Sequence, residues 1–293
     1  MERARHSVGG GLVLGLLAGG LALVCCNSCG AGGNGEAQPR TAPDAGGVPP
    51  AAAPARSGRS GPAPVTPSGD ETYSSAELGA LHGTILYEGP TPERFALGAA
   101  ERAECKHHPE VDQRKNVLVV NAGKLAGVFV HLKSGYDEAA VPAAPSAPVT
   151  LDQRGCMYVP RVLALQLGQR LRVTNSDPTN HNVHARPKKN DEFNRNMGIA
   201  RDAADALEFD FRHAEKAVPF KCDIHPWMGA VVFVEEHPWF AVSDERGAFR
   251  IRDVPPGEYV VEGVHEDLGS VSGSVQVKAG KSTGFSLTLR AKK

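Results

Sequence analysis

From Leu81 onward the chain is a succession of short apolar runs, each cut off by turn residues before it reaches helical length. The runs at 83–87, 117–120, 128–132, 162–167 and 171–174 come first, and those at 207–211, 217–220, 230–234, 249–251, 259–264 and 271–277 repeat the spacing. Runs of this length with β-branched and aromatic residues read as strands. A helical turn or two around 92–104 is the one departure. Many short strands at near-regular spacing predict an all-β chain built of sandwiches, whose apolar faces close on one another. With 33 Gly and 22 Pro, a helical bundle is disfavoured.

The N-terminal stretch obeys a different logic. Arg3 and Arg5 precede an apolar run from Gly11 to Val24, followed by Cys25, Cys26 and Cys29, the pattern of an export signal. The run is shorter than the ~20 residues that span a bilayer comfortably, so a permanent transmembrane helix is the weaker reading. Leu23, Val24 and Cys25 ahead of Cys26 resemble a bacterial lipobox, which implies lipidation of Cys26, with Cys25 and Cys29 as alternatives. The signal is assigned to 1–26 and a linker to 27–75, rich in Pro, Gly and Ala and too poor in apolar residues to fold. A tether of roughly 45 residues gives a reach of about 35–40 Å by random-coil scaling. The expected location is therefore outside the cytoplasm, periplasmic or on the outer surface, with a lipid anchor in a bacterial membrane. Nearly balanced charge, 32 basic against 33 acidic residues, argues against nucleic acid as a partner.

Chemistry concentrates in two stretches. Cys222, His225 and Met228 stand three residues apart in Phe220-Lys221-Cys222-Asp223-Ile224-His225-Pro226-Trp227-Met228-Gly229, and His181 lies about forty residues upstream. One thiolate, two imidazoles and a thioether are the donors of a type 1 copper centre, trigonal with a long axial bond. Such a set suits both Cu(I) and Cu(II), so little rearranges when one electron moves. His184, three residues after His181, points to the opposite face of a strand and is not expected to be a ligand.

Together with the stretch from Tyr158 to Asp177, with its aromatic-x-Pro160, Gly168 and Asn175-x-Asp177 framework, these residues resemble the cupredoxins, most closely the amicyanin and plastocyanin-like group. The resemblance covers about 150–236 and implies a Greek-key sandwich with copper near one end, beneath an apolar surface around the exposed edge of His225. It implies His181, Cys222, His225 and Met228 as ligands of one copper ion, and Asn182 and Asn175 as steadying residues, with plain turn residues as the alternative for both. Pro226 and Trp227, which flank His225 with apolar surface, are read as a docking face, with Trp227 packed inward as core as the alternative. With Cys222 on copper, Cys105 and Cys156 remain in the folded part. In an oxidising compartment their pairing is the simplest outcome, and a second metal site at Cys105, His107 and His108 is the alternative. The other histidines, His82, His131, His213, His237 and His265, are expected to be surface or structural.

The segment 237–293, with Asp244-x-x-Gly247-x-Phe249 and Pro255-Pro256-Gly257-x-Tyr259, resembles the carboxypeptidase regulatory-like, transthyretin-type sandwich. That resemblance implies a fold and no peptidase activity. Strands in 76–149 look like its opening strands, so the copper domain at 150–236 is expected to be inserted into, or interleaved with, this second sandwich. The leading functional expectation is single-electron transfer with a redox partner protein, a c-type cytochrome or a dehydrogenase-like donor or acceptor. Copper delivery, storage or sensing is the alternative. A copper-dependent oxidoreductase is less favoured, because the chain lacks a His-x-His pair for a further copper.

Overall fold

The computed structural model describes residues 77–98, 105–114, 118–199 and 205–292, with positions 100 and 103. The signal, the tether and Cys26 lie outside the described residues, as does Val117. Of the helical turn expected over 92–104, residues 92–98 are non-helical and Ala96 bridges Arg114, whereas positions 100 and 103 are helical, as is Cys105 just beyond; positions 99, 101, 102 and 104 lie outside the described residues. The architecture is all-β. The N-terminal strands are β1 (Gly79–Glu88), β2 (Val120–Asn121), β3 (Lys124–Leu125) and β4 (Phe129–Ser134). The middle of the chain forms β5 (Val149–Gln153), β6 (Tyr158–Val159), β7 (Val162–Gln166), β8 (Leu171–Asn175), β9 (His181–Ala185), β10 (Phe193–Met197), β11 (Leu207–Phe209), β12 (Glu215–Lys221) and β13 (Gly229–Glu235). The last strands are β14 (Phe240–Val242), β15 (Ala248–Val254), β16 (Gly257–His265), β17 (Gly269–Val277), β18 (Ser282–Gly284) and β19 (Leu287–Arg290).

Strands β5 to β13 make one sandwich. A five-stranded sheet in the order β10-β9-β12-β13-β7 packs on a four-stranded sheet in the order β11-β8-β5-β6. Inward residues of both sheets, among them Leu151, Leu165, Val173, Val183, Val218, Phe220 and Val232, share one buried core. Strand β8 shows the period-two logic: Leu171, Val173 and Asn175 are buried, whereas Arg172 and Thr174 are partly exposed. Strand β9 does not, because all of His-Asn-Val-His-Ala is buried.

The second sandwich draws on both ends of the described chain. In one sheet β1 pairs antiparallel with β15 and parallel with β18 and β19. In the other, β4 lies between β14 and β16. Leu81, Ile85, Val130, Leu132, Phe249, Ile251, Val261 and Leu287 form its core. The strands before β5 and after β13 thus belong to the same two sheets. Backbones pass close inside this sandwich: a Cβ on Gly83 would lie 1.5 Å from the carbonyl oxygen of Phe285.

The two sandwiches meet through Phe129 and Phe240 on one side and Ala164, Val231 and Phe233 on the other, with Phe129 and Phe233 stacked at 4.4 Å between ring centroids. A polar seam runs beside this contact. His131 Nδ1 lies 2.8 Å from Glu235 and its Nε2 lies 3.2 Å from Glu262. Lys133 and Lys216 each approach Glu262 at 2.7 Å. Both histidines of the seam are buried, and His237 is satisfied as a neutral ring: its Nε2 donates to the Leu132 carbonyl at 2.8 Å and its Nδ1 accepts from Trp239 N–H at 3.2 Å.

Candidate metal centre

The site lies at one end of the first sandwich, where β9 and β12 run side by side. Their pairing sets Lys221 opposite His184 and Phe220 opposite Ala185. Cys222 therefore follows β12 beside the start of β9, and Asn182 N–H donates to its Sγ at 3.2 Å. The chain then turns tightly. His225 N–H donates to the same sulfur at 3.3 Å, Met228 N–H to the His225 carbonyl at 2.9 Å, and Cys222 N–H to the Met228 carbonyl at 3.2 Å. Three short links fold the loop around one point and hand the chain to β13.

His181, Cys222 and His225 converge there, all buried, with one donor atom of each within 4.8 Å of the others. The two Nδ1 atoms are 3.0 Å apart and Cys222 Sγ is 3.8 Å from His225 Nδ1. Two nitrogens that each bind one ion at about 2 Å have a separation of this order. Met228 is buried in the same core, its backbone closing the loop. A soft sulfur beside two imidazoles is a donor set that fits copper. His184 turns elsewhere, with Nδ1 on Asp223 at 2.7 Å and Nε2 on Glu192 at 2.8 Å.

Electrostatics prepare these groups for a cation. His181 Nε2 bonds to Asp177 Oδ2 at 2.9 Å, which places the ring proton on Nε2 and turns the Nδ1 lone pair inward. Burial pushes the Cys222 thiol up, but the adjacent His181 ring and hydrogen bonds from the Asn182 and His225 N–H groups outweigh it and hold the thiol below its ordinary value. Burial likewise pushes Asp177 up, yet His181 and the N–H groups of Cys156 and Gly155 hold its carboxyl below the usual range. Those two N–H groups, at 2.8 and 2.6 Å, come from a tight turn whose residues both have positive φ, 64° at Gly155 and 52° at Cys156. Successive left-handed residues aim neighbouring N–H groups at one anion, here the Asp177 carboxylate.

Asn175 Oδ1 accepts from Asp177 N–H at 3.0 Å, and its Nδ2 donates to the carbonyls of Thr179 and Gly198. Asn182 Nδ2 reaches Asn194 and Asn196 across the β9–β10 pair. Tyr158 Oη donates to the Asn182 carbonyl at 2.9 Å and lies 3.2 Å from that of Lys221, tying together the two strands that carry ligands. The Cys105–Cys156 disulfide is formed. Cys105 is therefore not free to join His107 and His108 at a second metal.

The docking face differs from expectation. Ile224 is 48% exposed and Pro226 is exposed, but His225 is only 3% exposed. Trp227 is half-buried against the core, its indole N–H donating to the Cys156 carbonyl at 3.1 Å. An aromatic residue with a polar handle has both an apolar wall and a carbonyl here, so it packs inward. Asp177, although inside the framework stretch, has a role the sequence did not reveal; its spacing of four residues from His181 was the available signal.

No protein-family model matches this chain, and no curated protein matches it. Several solved structures resemble part of it. Amicyanin from Paracoccus versutus (Thiobacillus versutus) is 22% identical, with 36% of this chain and 97% of that chain covered and a TM-score of 0.27. A purple cupredoxin from Nitrosopumilus maritimus is 23% identical over 27% of this chain and 82% of that chain, with a TM-score of 0.23. The copper-containing nitrite reductase of Thermus scotoductus SA-01 is 20% identical over 33% of this chain, with a TM-score of 0.28, and only 24% of its own length is spanned. Among the described residues no helix is long and apolar enough to cross a membrane.

Proposed function

We propose that the chain binds one copper ion through His181, Cys222, His225 and Met228 and carries single electrons between redox partners. The observation that carries this reading is the convergence of two imidazole Nδ1 atoms and the Cys222 sulfur in one buried pocket, with that sulfur already accepting two backbone N–H groups. A bound copper ion supplies a one-electron couple. The protein's own residues do the rest. Cys222 and the two histidines are held by sheet register and by the Asp177 and Tyr158 bonds, so their positions are set before the metal arrives and need not change with its charge. Burial of all three keeps water from becoming a further ligand.

A rigid enclosed set is suited to electron carriage, whereas delivery requires a ligand set that opens for exchange. The reading is of a carrier without a substrate reaction of its own. The export signal and Cys26 support an extracytoplasmic, lipid-anchored position, with a c-type cytochrome or dehydrogenase-like partner reached by the tether. Copper-loaded protein is expected to show an intense thiolate-to-copper absorption toward the red end of the visible that Cys222→Ser abolishes. Met228→Leu is expected to keep the copper and raise the potential, because a long axial bond tunes more than it holds. A colourless Cu(II) protein refutes the centre, and copper lost from the Leu variant refutes the axial role.

A further inference from the structure

His225 has its ring enclosed, and part of what encloses it comes from outside the first sandwich. Segment 105–114 lies between β1 and β2 in sequence yet packs on the copper end. Its first residue, Cys105, is bonded to Cys156, and a nitrogen of the His225 ring lies within 4.8 Å of both sulfurs. Trp227, 5.2 Å from His225 between ring centroids, is fixed to the Cys156 carbonyl.

The rest of the segment is pinned to the loops that carry the other ligand. His108 Nε2 lies 3.1 Å from the Ser176 carbonyl oxygen, while its Nδ1 lies 3.1 Å from Arg154 Nε and 3.3 Å from Glu110 Oε1. Arg154 also pairs with Glu110 at 2.5 Å. Gln113 Nε2 donates to the Cys105 carbonyl and, at 2.9 Å, to that of Gly155. The segment thus has a covalent staple at one end, a side-chain anchor at the other and an ion pair between.

We propose that segment 105–114 is a disulfide-stapled cap over the His225 edge of the metal centre, and that it decides which redox reagents come close to the metal. Resting on the copper reading, this cap removes the bare imidazole edge through which a small hydrophilic reagent would exchange electrons. Exchange is then left to a partner large enough to dock across the cap and the exposed Ile224 and Pro226 beside it. Charge at the cap, from Lys106, Glu110, Asp112 and Arg114, is mixed, so exclusion works by covering and not by repulsion.

Two measurements test this on the full chain, with the parent, the double variant C105S/C156S and the single variant Gln113→Ala. In the first, Cu(I)-loaded protein is mixed with hexacyanoferrate(III), which takes one electron and leaves Cu(II), and the growth of the visible band is followed. The double variant is expected to react about tenfold faster, equivalent to ~1.4 kcal/mol in activation free energy. Gln113→Ala, with its disulfide intact, is expected to show a smaller gain in the same direction. In the second, metal-free protein is treated with diethyl pyrocarbonate and the histidines are read by peptide mass spectrometry. His225 is expected to be protected in the parent and modified in the uncapped variants, with exposed His107 modified in all three. Parent-like rates in both variants with an unchanged copper spectrum overturn the cap, as does full modification of His225 in the parent. A parent that binds no copper refutes the proposed function instead, while the histidine protection still decides the cap. Should the double variant fail to fold, Gln113→Ala decides in both assays.

Discussion

Asp177→Asn removes one charge while keeping the shape of the side chain that holds His181. The carboxylate uses both oxygens: Oδ2 accepts from Cys156 N–H at 2.8 Å and from His181 Nε2 at 2.9 Å, and Oδ1 accepts from Gly155 N–H at 2.6 Å with His108 Nε2 at 3.6 Å. An amide has one accepting oxygen. Its better orientation keeps that oxygen on Cys156 and His181 and turns its own N–H₂ toward the Gly155 N–H, donor against donor. Loss of a charge-assisted bond with a buried donor left unmet costs about 2–3 kcal/mol of metal-free stability, with relief of the buried charge offsetting part of it. The bond to His181 also becomes neutral, making the imidazole a poorer donor to a cation, and a change of this kind next to a ligand typically lowers metal affinity ~10–100-fold. Urea denaturation of metal-free protein reads the first number and chelator competition the second. Parent-like copper affinity in Asp177→Asn would refute the claim that this carboxylate prepares the ligand.

Three further outcomes are expected. Tyr158→Phe should cost about 1–1.5 kcal/mol by urea denaturation, because the hydroxyl donates to the Asn182 carbonyl at 2.9 Å inside the sandwich; an unchanged midpoint removes the strand-tying role. Burial pushes Glu262 up, but Lys133, Lys216 and His131 hold it at about 2, against 4.5 when unpaired. The unfolded chain therefore takes up a proton that the folded one refuses, so stability present above pH 4.5 falls as pH drops toward 2, and Glu262→Gln should flatten that fall in urea midpoints measured against pH. Gly83→Ala drives a methyl to within 1.5 Å of the Phe285 carbonyl oxygen and should cost about 3 kcal/mol, at the top of the overpacking range; a thermal midpoint equal to the parent's would show that β1 and the C-terminal strands do not approach so closely.

What could be read from the sequence was what repeats locally. Runs such as 162–167 and 259–264 emerged as β7 and β16 because apolar alternation follows from burying one face. Strand β9 escaped that rule, since its histidines and Asn182 are buried as polar groups with partners and not as core. The ligand types were legible because Cys222, His225 and Met228 share one loop. The bond from Asp177 to the Gly155–Cys156 turn was not, because nothing local links residues some twenty apart. His131, Glu235 and Glu262 come from three distant strands, so their seam appears only when the sheets assemble. Burial of His225 was missed for the same reason: its neighbour, the Cys105–Cys156 bridge, reaches it from more than a hundred residues upstream in the case of Cys105.

The pairing of β1 with strands from the far end of the chain also sets an order of events during synthesis. Ile85 finds Leu287 and Leu81 finds Ile251 only after the whole of the first sandwich has been made. Residues 149–235 can meanwhile close on themselves through contacts nearer in sequence, which form sooner. Until β15, β18 and β19 emerge, β1 has only its short pairing with β3 at Leu86 and Lys124, and most of its N–H and C=O groups, with Leu81 and Ile85, lack the strands that cover them, the condition in which strands pair with the wrong chain. A nascent protein stalled between 240 and 280 would therefore hold a finished metal-binding head on an open, adhesive edge, and holdase chaperones that shelter exposed strands would matter most in that interval.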